Sequence, residues 1–335
     1  MEYNKDLKAY NTFGVSVRAA RFLSINSEQA LIDFLQQHDG GPLFILGGGS
    51  NMLLTQDIDA TVLHIDIQGT EVVAETDSTV HLKVMAGVSW HKFVLDTLER
   101  DLGGVENLSL IPGNVGTAPI QNIGAYGAEL KDVLLSCDAI AIKDGTKRAF
   151  KLEDCGFGYR DSVFKQQLKG QYIITAVTFV LAKQPHTTNT NYGDVQQYLT
   201  DNALVSSRIK DVSQAIIAIR QSKLPDPAVL GNSGSFFKNP VISAEEFARL
   251  RESFPDMRHY PLGDGSVKIP AGYLIEQSGL KGKRWGDAGV HDRQALVLVN
   301  HGNATGQEIL KVARKVQQAV LDKYGIALEM EVNVF

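Results

Sequence analysis

Apolar and polar positions recur along this chain with two periods, and several stretches follow neither. A period near 3.6 marks the helices. Leu31, Phe34 and Leu35 follow Ser27-Glu28-Gln29 and predict a helix that Ser27 opens and Gly40-Gly41-Pro42 stops. Phe93, Val94 and Leu98 mark a second helix, over 89–100 with Ser89 as its cap. Spacing resumes over 195–200, and Val212, Ala215, Ile216 and Ile219 mark a helix that Asp211 caps and Pro225 and Pro227 end. Ser243-Ala244-Glu245-Glu246 and Thr305-Gly306-Gln307-Glu308 are capping boxes, the second opening a long helix that stops at Gly325. Residues 271–278 predict one more short helix.

A period of two marks the strands. It holds over 61–67, 79–86, 133–142 and 172–181, while Lys147–Lys151 returns after a turn at Asp144-Gly145. The β-branched content here predicts a sheet of mixed or antiparallel type in the middle of the chain. Residues 43–46 and 295–299 are continuously apolar and are expected to be buried on both faces. The chain closes on a strand over 326–335, with Glu329 and Glu331 sharing one face.

The interruptions carry the chemistry. Gly47-Gly48-Gly49-Ser50-Asn51 follows a strand, and successive N–H groups in such a loop form an anion nest. The dinucleotide G-x-G-x-x-G pattern and the P-loop Gly-Lys-Ser/Thr ending are both missing, and a triple glycine alone is more often a tight connection. Residues 111–127 hold four glycines and two prolines yet stay apolar between them. An ordered loop of that kind must satisfy its backbone groups, and a bound cofactor is one way to do so. In Gly231-Asn232-Ser233-Gly234-Ser235-Phe236-Phe237-Lys238-Asn239-Pro240, Ser235, Lys238 and Asn239 can offer one ligand a proton, a charge and an amide. The plainer reading is a turn before a short strand, with Phe236 and Phe237 as core. Arg160, in Tyr159-Arg160-Asp161-Ser162, is either half of a surface ion pair or a fork for a carboxylate. Residues 183–192 read as a mobile polar loop, His91 as a packing residue, and the change of pattern near 205 as a domain boundary.

A length of 335 residues predicts two or three domains. The net charge of −5, with no basic block, argues against a nucleic-acid surface. Cys137 and Cys155 have no metal-like spacing and read as small buried hydrophobes. No apolar run reaches membrane-spanning length and the N-terminal residues form no secretory signal, so a reducing, cytoplasmic setting is expected.

In order and spacing these segments closely resemble the UDP-N-acetylenolpyruvoylglucosamine reductase family, nearly end to end. The resemblance rests on Asn11-Thr12-Phe13-Gly14, the triple-glycine loop, the Ile111-Pro112-Gly113 to Gly127 loop, Tyr159-Arg160-Asp161-Ser162 and Tyr192-Gly193-Asp194. It continues through Lys223-Leu224-Pro225, Gly234 to Pro240, Ile269-Pro270-Ala271-Gly272 and Glu329-Met330-Glu331-Val332. It implies an α+β chain: a two-subdomain FAD-binding fold of the vanillyl-alcohol-oxidase (PCMH) type plus a C-terminal α+β substrate domain. The implied bounds are 1–68 and 69–205 for the FAD-binding subdomains and 206–324 for the substrate domain, with strand 325–335 rejoining the first.

The implied reaction is reduction of UDP-N-acetylglucosamine enolpyruvate to UDP-N-acetylmuramate by NADPH through FAD, in a monomer. Gly49-Ser50-Asn51 holds no histidine, so FAD is expected to bind non-covalently. Hydride is expected from flavin N5 and the proton from Ser235, with Arg160 and Glu331 at the substrate carboxylate and Glu329 as the rival to Glu331. FAD contacts are expected from Gly47, Gly48, Gly49, Ser50, Asn51, Pro112, Gly113, Gly116, Thr117, Gln121, Asn122, Gly124 and Ala125. Substrate contacts are expected from Tyr126, Tyr159, Tyr192, Lys223, Lys238 and Asn239, with Tyr192 marking the branch that closes a tyrosine over the nucleotide. No second dinucleotide fingerprint remains, so NADPH is expected to use the substrate's own pocket first. An alcohol oxidase of the same flavin fold and a non-catalytic UDP-sugar-binding module are the alternatives from other classes.

Overall fold

The computed structural model describes residues 1–335, which divide into two compact units interleaved in sequence. The first comprises residues 1–5, 19–48 and 58–222; the second comprises 6–18, 49–57 and 223–335. No helix is long and apolar enough to cross a membrane.

The first unit carries two sheets. One has the order Glu2–Asp6, Arg18–Ile25, Ile58–Ile65, Leu43–Leu46, with the last three strands parallel. Leu43–Leu46 forms the predicted strand, but only Leu46 is buried and Ile45 is 36% exposed. Its place at the sheet edge explains the departure from the expected two-sided burial. Helix Glu28–Gln37 starts where expected: the Ser27 hydroxyl accepts from Ala30 N at 3.1 Å, and Leu31 and Leu35 face the core.

The second sheet is antiparallel throughout, in the order Lys147–Lys151, Leu134–Ala141, Tyr172–Ala182, Thr79–Met85, Thr70–Glu75. Helix Trp90–Glu99 packs its buried Trp90, Phe93 and Leu98 into the core beside this sheet, with the Phe93 and Phe179 rings 4.5 Å apart. Ser89 begins that helix without a side-chain cap. The Trp90 N–H instead donates to the Gly113 carbonyl at 2.9 Å, tying the helix start to the glycine-rich loop. Helix Ile209–Lys223 begins before Asp211, whose carboxylate receives the Val205 N–H at 2.8 Å and does not cap the helix. That helix buries Val212, Ala215 and Ile216 against Val195 and Leu199 within this unit, and the chain leaves the unit only after Ser222.

The second unit is built on an antiparallel sheet ordered Gly231–Ser235, Val297–Asn300, Ala288–Val290, Arg284–Trp285, packed by helix Gly306–Tyr324. Both halves of the Thr305/Glu308 capping box form, and Gly325 ends the helix with φ +70°. A smaller sheet pairs Val267–Lys268 with Val241–Ile242 and Tyr260–Pro261.

The turn at Asn11–Phe13 joins the remaining strands of this unit. Thr12 N donates to Gly49 O at 3.1 Å, and Asn232 N donates to Thr12 O at 3.0 Å. The Asn300 amide donates to Phe13 O at 2.9 Å. The Asn11 side chain fixes the turn from within, donating to Leu7 O and Val15 O and accepting Val15 N at 2.8–3.0 Å. The chain end departs from one continuous strand. Only Asn333–Val334 pair regularly, in parallel with Met52–Leu53, and Met330 makes an isolated bridge to Phe237. Alternation survives even so, with Leu328 and Val332 buried and Glu329 and Glu331 facing away from them.

Gly306 tests packing against propensity. At the first turn of a helix, alanine is favoured over glycine by up to about 1 kcal/mol. A Cβ at Gly306 would, however, stand 1.8 Å from the Leu54 carbonyl oxygen. Gly306→Ala is therefore expected to lower the urea midpoint, with a loss of about 2 kcal/mol or more. A midpoint unchanged or raised would show that the contact yields at no cost.

Candidate active site

In the first unit the two low-bulk loops lie against each other. A Cβ on Gly47 would stand 2.5 Å from Thr117 Cγ2, and one on Gly48 would stand 2.8 Å from Gly113 Cα and 2.9 Å from Asn114 Oδ1. Gly116 is pressed to Ala86 in the same way, with 2.4 Å to its Cβ. Thr117 closes the turn by donating its hydroxyl to Asn114 O at 2.8 Å. Gly47, Gly48, Gly113, Gly116 and Thr117 are thus brought together, with glycine backbone bare of side chains on both loops. Pro112 is exposed and Gln121 half-buried along the same stretch.

Asn122 follows on the same loop. It is fully buried with φ +43°, donates to Gly158 O and Glu129 Oε2 at 3.1 Å each, and accepts Lys131 N at 3.1 Å. It therefore pins the 122–131 hairpin to the Gly158–Asp161 turn. Arg160 sits on that turn with φ +55° and donates Nη2 to Gly124 O at 2.6 Å, its guanidinium 5.5 Å from the Tyr159 ring centroid. The Asp161 carboxylate accepts from Ser162 N and Gln166 Nε2, at 3.0 Å each. Ala125 follows Gly124 in the two-residue strand that pairs with Ala128–Glu129.

Tyr126 and Tyr192 meet edge to face, with ring centroids 6.2 Å apart at 83°. The polar loop before Tyr192 is anchored at several points, where the sequence predicts mobility. Asp101 takes Gln184 Nε2 at 2.6 Å and pairs with His186 at 3.0 Å, and Thr188 donates to Ser206 O at 2.5 Å. Asn107, which drew no notice in the sequence, donates Nδ2 to both Tyr126 O and Asn189 O at 2.8 Å. Its only sequence signal is a polar Glu106-Asn107 pair inside an apolar run. His91 is the packing residue expected: its Nδ1 accepts Leu110 N at 3.0 Å. Burial first, and then the Arg220 charge, hold its imidazole below the ordinary value, which keeps that acceptor neutral.

In the second unit, Gly231–Ser235 is a strand with an irregular register between Asn232 and Ser235, where Gly234 takes φ +68°. Irregularities of this kind re-aim a side chain. Phe236 and Phe237 are both fully buried, so the core role and the polar role coexist in one segment. Glu331 N donates to Phe236 O and Lys238 N donates to Glu329 O, at 2.9 Å each. Half-buried Glu331 therefore lies one register step from half-buried Ser235. Glu329 instead reaches outward, 69% exposed, and pairs with the Lys238 ammonium. Gly49 packs with φ +62° where a Cβ would meet Tyr10 O at 2.0 Å, and Ser50 and Asn51 continue half-buried. Asn51 holds the chain end through its carbonyl, which accepts Asn333 N at 3.2 Å, and through its amide, which reaches Glu331 O at 3.4 Å. Asn239 Oδ1 accepts Ala271 N at 2.9 Å and so begins helix Ala271–Gln277. Lys223 begins this unit's third and longest segment and is exposed.

Residues 19–150 match the family model of an FAD-binding domain, and residues 226–335 match that of the UDP-N-acetylenolpyruvoylglucosamine reductase C-terminal domain. The chain is 54% identical over 334 residues to UDP-N-acetylenolpyruvoylglucosamine reductase of Flavobacterium johnsoniae, covering 100% of this chain and 99% of the relative. The enzyme of the same name from Pseudomonas aeruginosa is 48% identical, over 98% of this chain and 97% of its own. The crystal structure of the Thermus caldophilus reductase shares the fold, with TM-score 0.71 and 24% identity, over 99% of this chain and 97% of that one.

The Asn122 pin is open to a stability test. Asn122→Ala loses three hydrogen bonds and puts at φ +43° a residue that tolerates the left-handed region less well than asparagine, so a destabilisation of about 3 kcal/mol is expected. Asn122→Gly loses the same bonds without the backbone strain and is expected to retain about 1 kcal/mol more. Equal urea midpoints for the two variants would remove the strain from the account.

Proposed function

The chain belongs to the UDP-N-acetylenolpyruvoylglucosamine reductase family, and from that premise we propose how its residues reduce UDP-N-acetylglucosamine enolpyruvate to UDP-N-acetylmuramate for peptidoglycan synthesis. The chain has the family's FAD-binding and C-terminal parts, and NADPH is the electron source. Bound FAD supplies the hydride that reaches the methylene carbon of the enolpyruvyl group.

The residues present fit that cofactor. The loops at 47–48 and 113–117 meet with bare glycine edges, and successive N–H groups of such loops suit a pyrophosphate. Gly49-Ser50-Asn51 offers no histidine for a covalent link, so the association is non-covalent. Gln121, Gly124 and Ala125, further along the same loop, would contact the cofactor's ring.

Addition at the methylene carbon drives negative charge towards the substrate carboxylate. Arg160, held in place by Gly124 O, supplies a fixed positive charge there. Glu331 donates a hydrogen bond to the same carboxylate when protonated, and Ser235 delivers a proton to the neighbouring carbon. A hydroxyl is a weak acid, but it serves a strongly basic carbanion-like centre when positioned beside it. The observation that carries this reading is the bond from Glu331 N to Phe236 O, which lays the Glu331 segment beside the Ser235 segment just after the irregular, side-chain-re-aiming stretch at Gly234, while Glu329 is paired to Lys238.

Tyr126, Tyr159, Tyr192, Lys223, Lys238 and Asn239 bind the nucleotide end. The Lys238–Glu329 pair gives way to diphosphate, and the exposure of Glu329 lets its carboxylate return to water cheaply. NADPH uses the substrate's pocket before the substrate does, a ping-pong order. By the same reading residues 1–68, 69–205 and 206–324 divide as two FAD-binding parts and a substrate part, in a cytoplasmic monomer.

Ser235→Ala is expected to let NADPH bleach the flavin at the normal rate. Reoxidation by the enolpyruvyl nucleotide should slow by about a hundredfold or more. Stopped-flow absorbance of the two half-reactions separates them, and normal turnover in that variant would remove Ser235 from the acid role.

A further inference from the structure

Asn107 lies in a short 3-10 turn, Glu106–Leu108, whose three residues are all buried. The core holds this turn from three directions. Trp90 Nε1 donates to Leu108 O at 2.9 Å, Ser109 Oγ donates to Glu106 O at 2.7 Å, and Glu106 Oε2 accepts Gly104 N at 2.7 Å. From this fixed post the Asn107 amide nitrogen reaches two carbonyls of distant segments, Tyr126 O and Asn189 O, at 2.8 Å each. The nitrogen has two protons, and both are used. The segments are also tied to each other, since Asn189 Nδ2 donates to Gly127 O at 3.1 Å.

Tyr126 and Gly127 occupy the left-handed region in succession, with φ +49° and +79°. A tyrosine does not hold that conformation unaided, so an external anchor on its carbonyl has a task to perform. The outcome of the anchoring is the edge-to-face meeting of Tyr126 and Tyr192, in which the Tyr192 residue is 57% exposed and open to a ligand. Asn107 itself is 2% exposed and acts only through the segments it ties.

We infer that Asn107 is a positioning residue for the nucleotide end of the substrate site: its two amide protons hold the Tyr126 turn and the Tyr192 loop in one register. This rests on the reading of Tyr192 as a substrate contact. Removing the protons leaves the acid–base groups Ser235, Arg160 and Glu331 untouched, so the loss falls on substrate capture and spares the chemical step.

Asn107→Asp keeps the shape and replaces both donors with oxygen facing two carbonyls. Its KM for UDP-N-acetylglucosamine enolpyruvate is expected to rise about tenfold or more while kcat stays within about threefold. Hydrogen exchange should accelerate at residues 186–194 and stay unchanged in helix Ile209–Lys223. Tyr192→Ala is the companion variant, expected to raise the same KM. A raised KM in Tyr192→Ala with a normal KM in Asn107→Asp overturns the inference alone; a normal KM in both removes Tyr192 from the substrate and the inference with it. If Asn107→Asp does not fold, Asn189→Ala cuts the outer tie to Gly127 and is expected to raise KM about threefold with kcat unchanged. A normal KM there also overturns the inference.

Discussion

The second unit depends on one short turn whose main-chain groups are shared among segments from both ends of the chain. Asn11 holds the turn rigid with three hydrogen bonds from a buried side chain. Thr12 and Phe13 then bond to the glycine loop, the Ser235 strand and the neighbouring strand through Gly49, Asn232 and Asn300. The approach is so close that a Cβ on Gly231 would stand 2.3 Å from Phe13 O. Hydrogen bonds between buried main-chain groups contribute modestly to net stability, yet leaving one unmade is expensive. The geometry is therefore specified with little tolerance, and both Ser235 and Glu331 stand on segments that inherit it.

The first unit solves the same problem differently. Its glycine-rich loops are irregular, so their backbone groups are met by polar side chains beside the aromatic core around Trp90 and Phe179. Asn122 holds the arginine turn, Asn107 the tyrosine pair, and neutral His91 the start of the 111–127 loop. Each of these residues is remote in sequence from at least one segment it fixes. That is how loops with four glycines acquire one conformation without regular pairing.

Most helices and strands were legible because their periodicity and caps agree, as at Ser27 and at the Thr305/Glu308 box. The loops that assemble were legible too, through their glycines and the family resemblance. What the pattern could not reveal was long-range context. Leu43–Leu46 reads as fully buried until its place at the edge of the sheet is known. Asp211 has the chemistry of a cap, but the helix had already begun at Ile209. Gly48 and Gly116 look like ligand contacts, and packing against Gly113 and Ala86 is already enough to require them. Asn107 gave almost no signal, because a buried asparagine serving two carbonyls is defined by partners 19 and 82 residues away.

The interleaving of the units has a consequence for biosynthesis. The first unit ends at Ser222, so its contacts are available before residues 223–335 are made. The second unit needs residues 6–18 and 49–57 to wait for a partner that runs to Phe335, whose main chain bonds to Leu53 and Thr55. Until the segment around Phe335 has been made, those early segments have no completed sheet to join. Assembly of the second unit thereby waits on residues made long after its earliest segments.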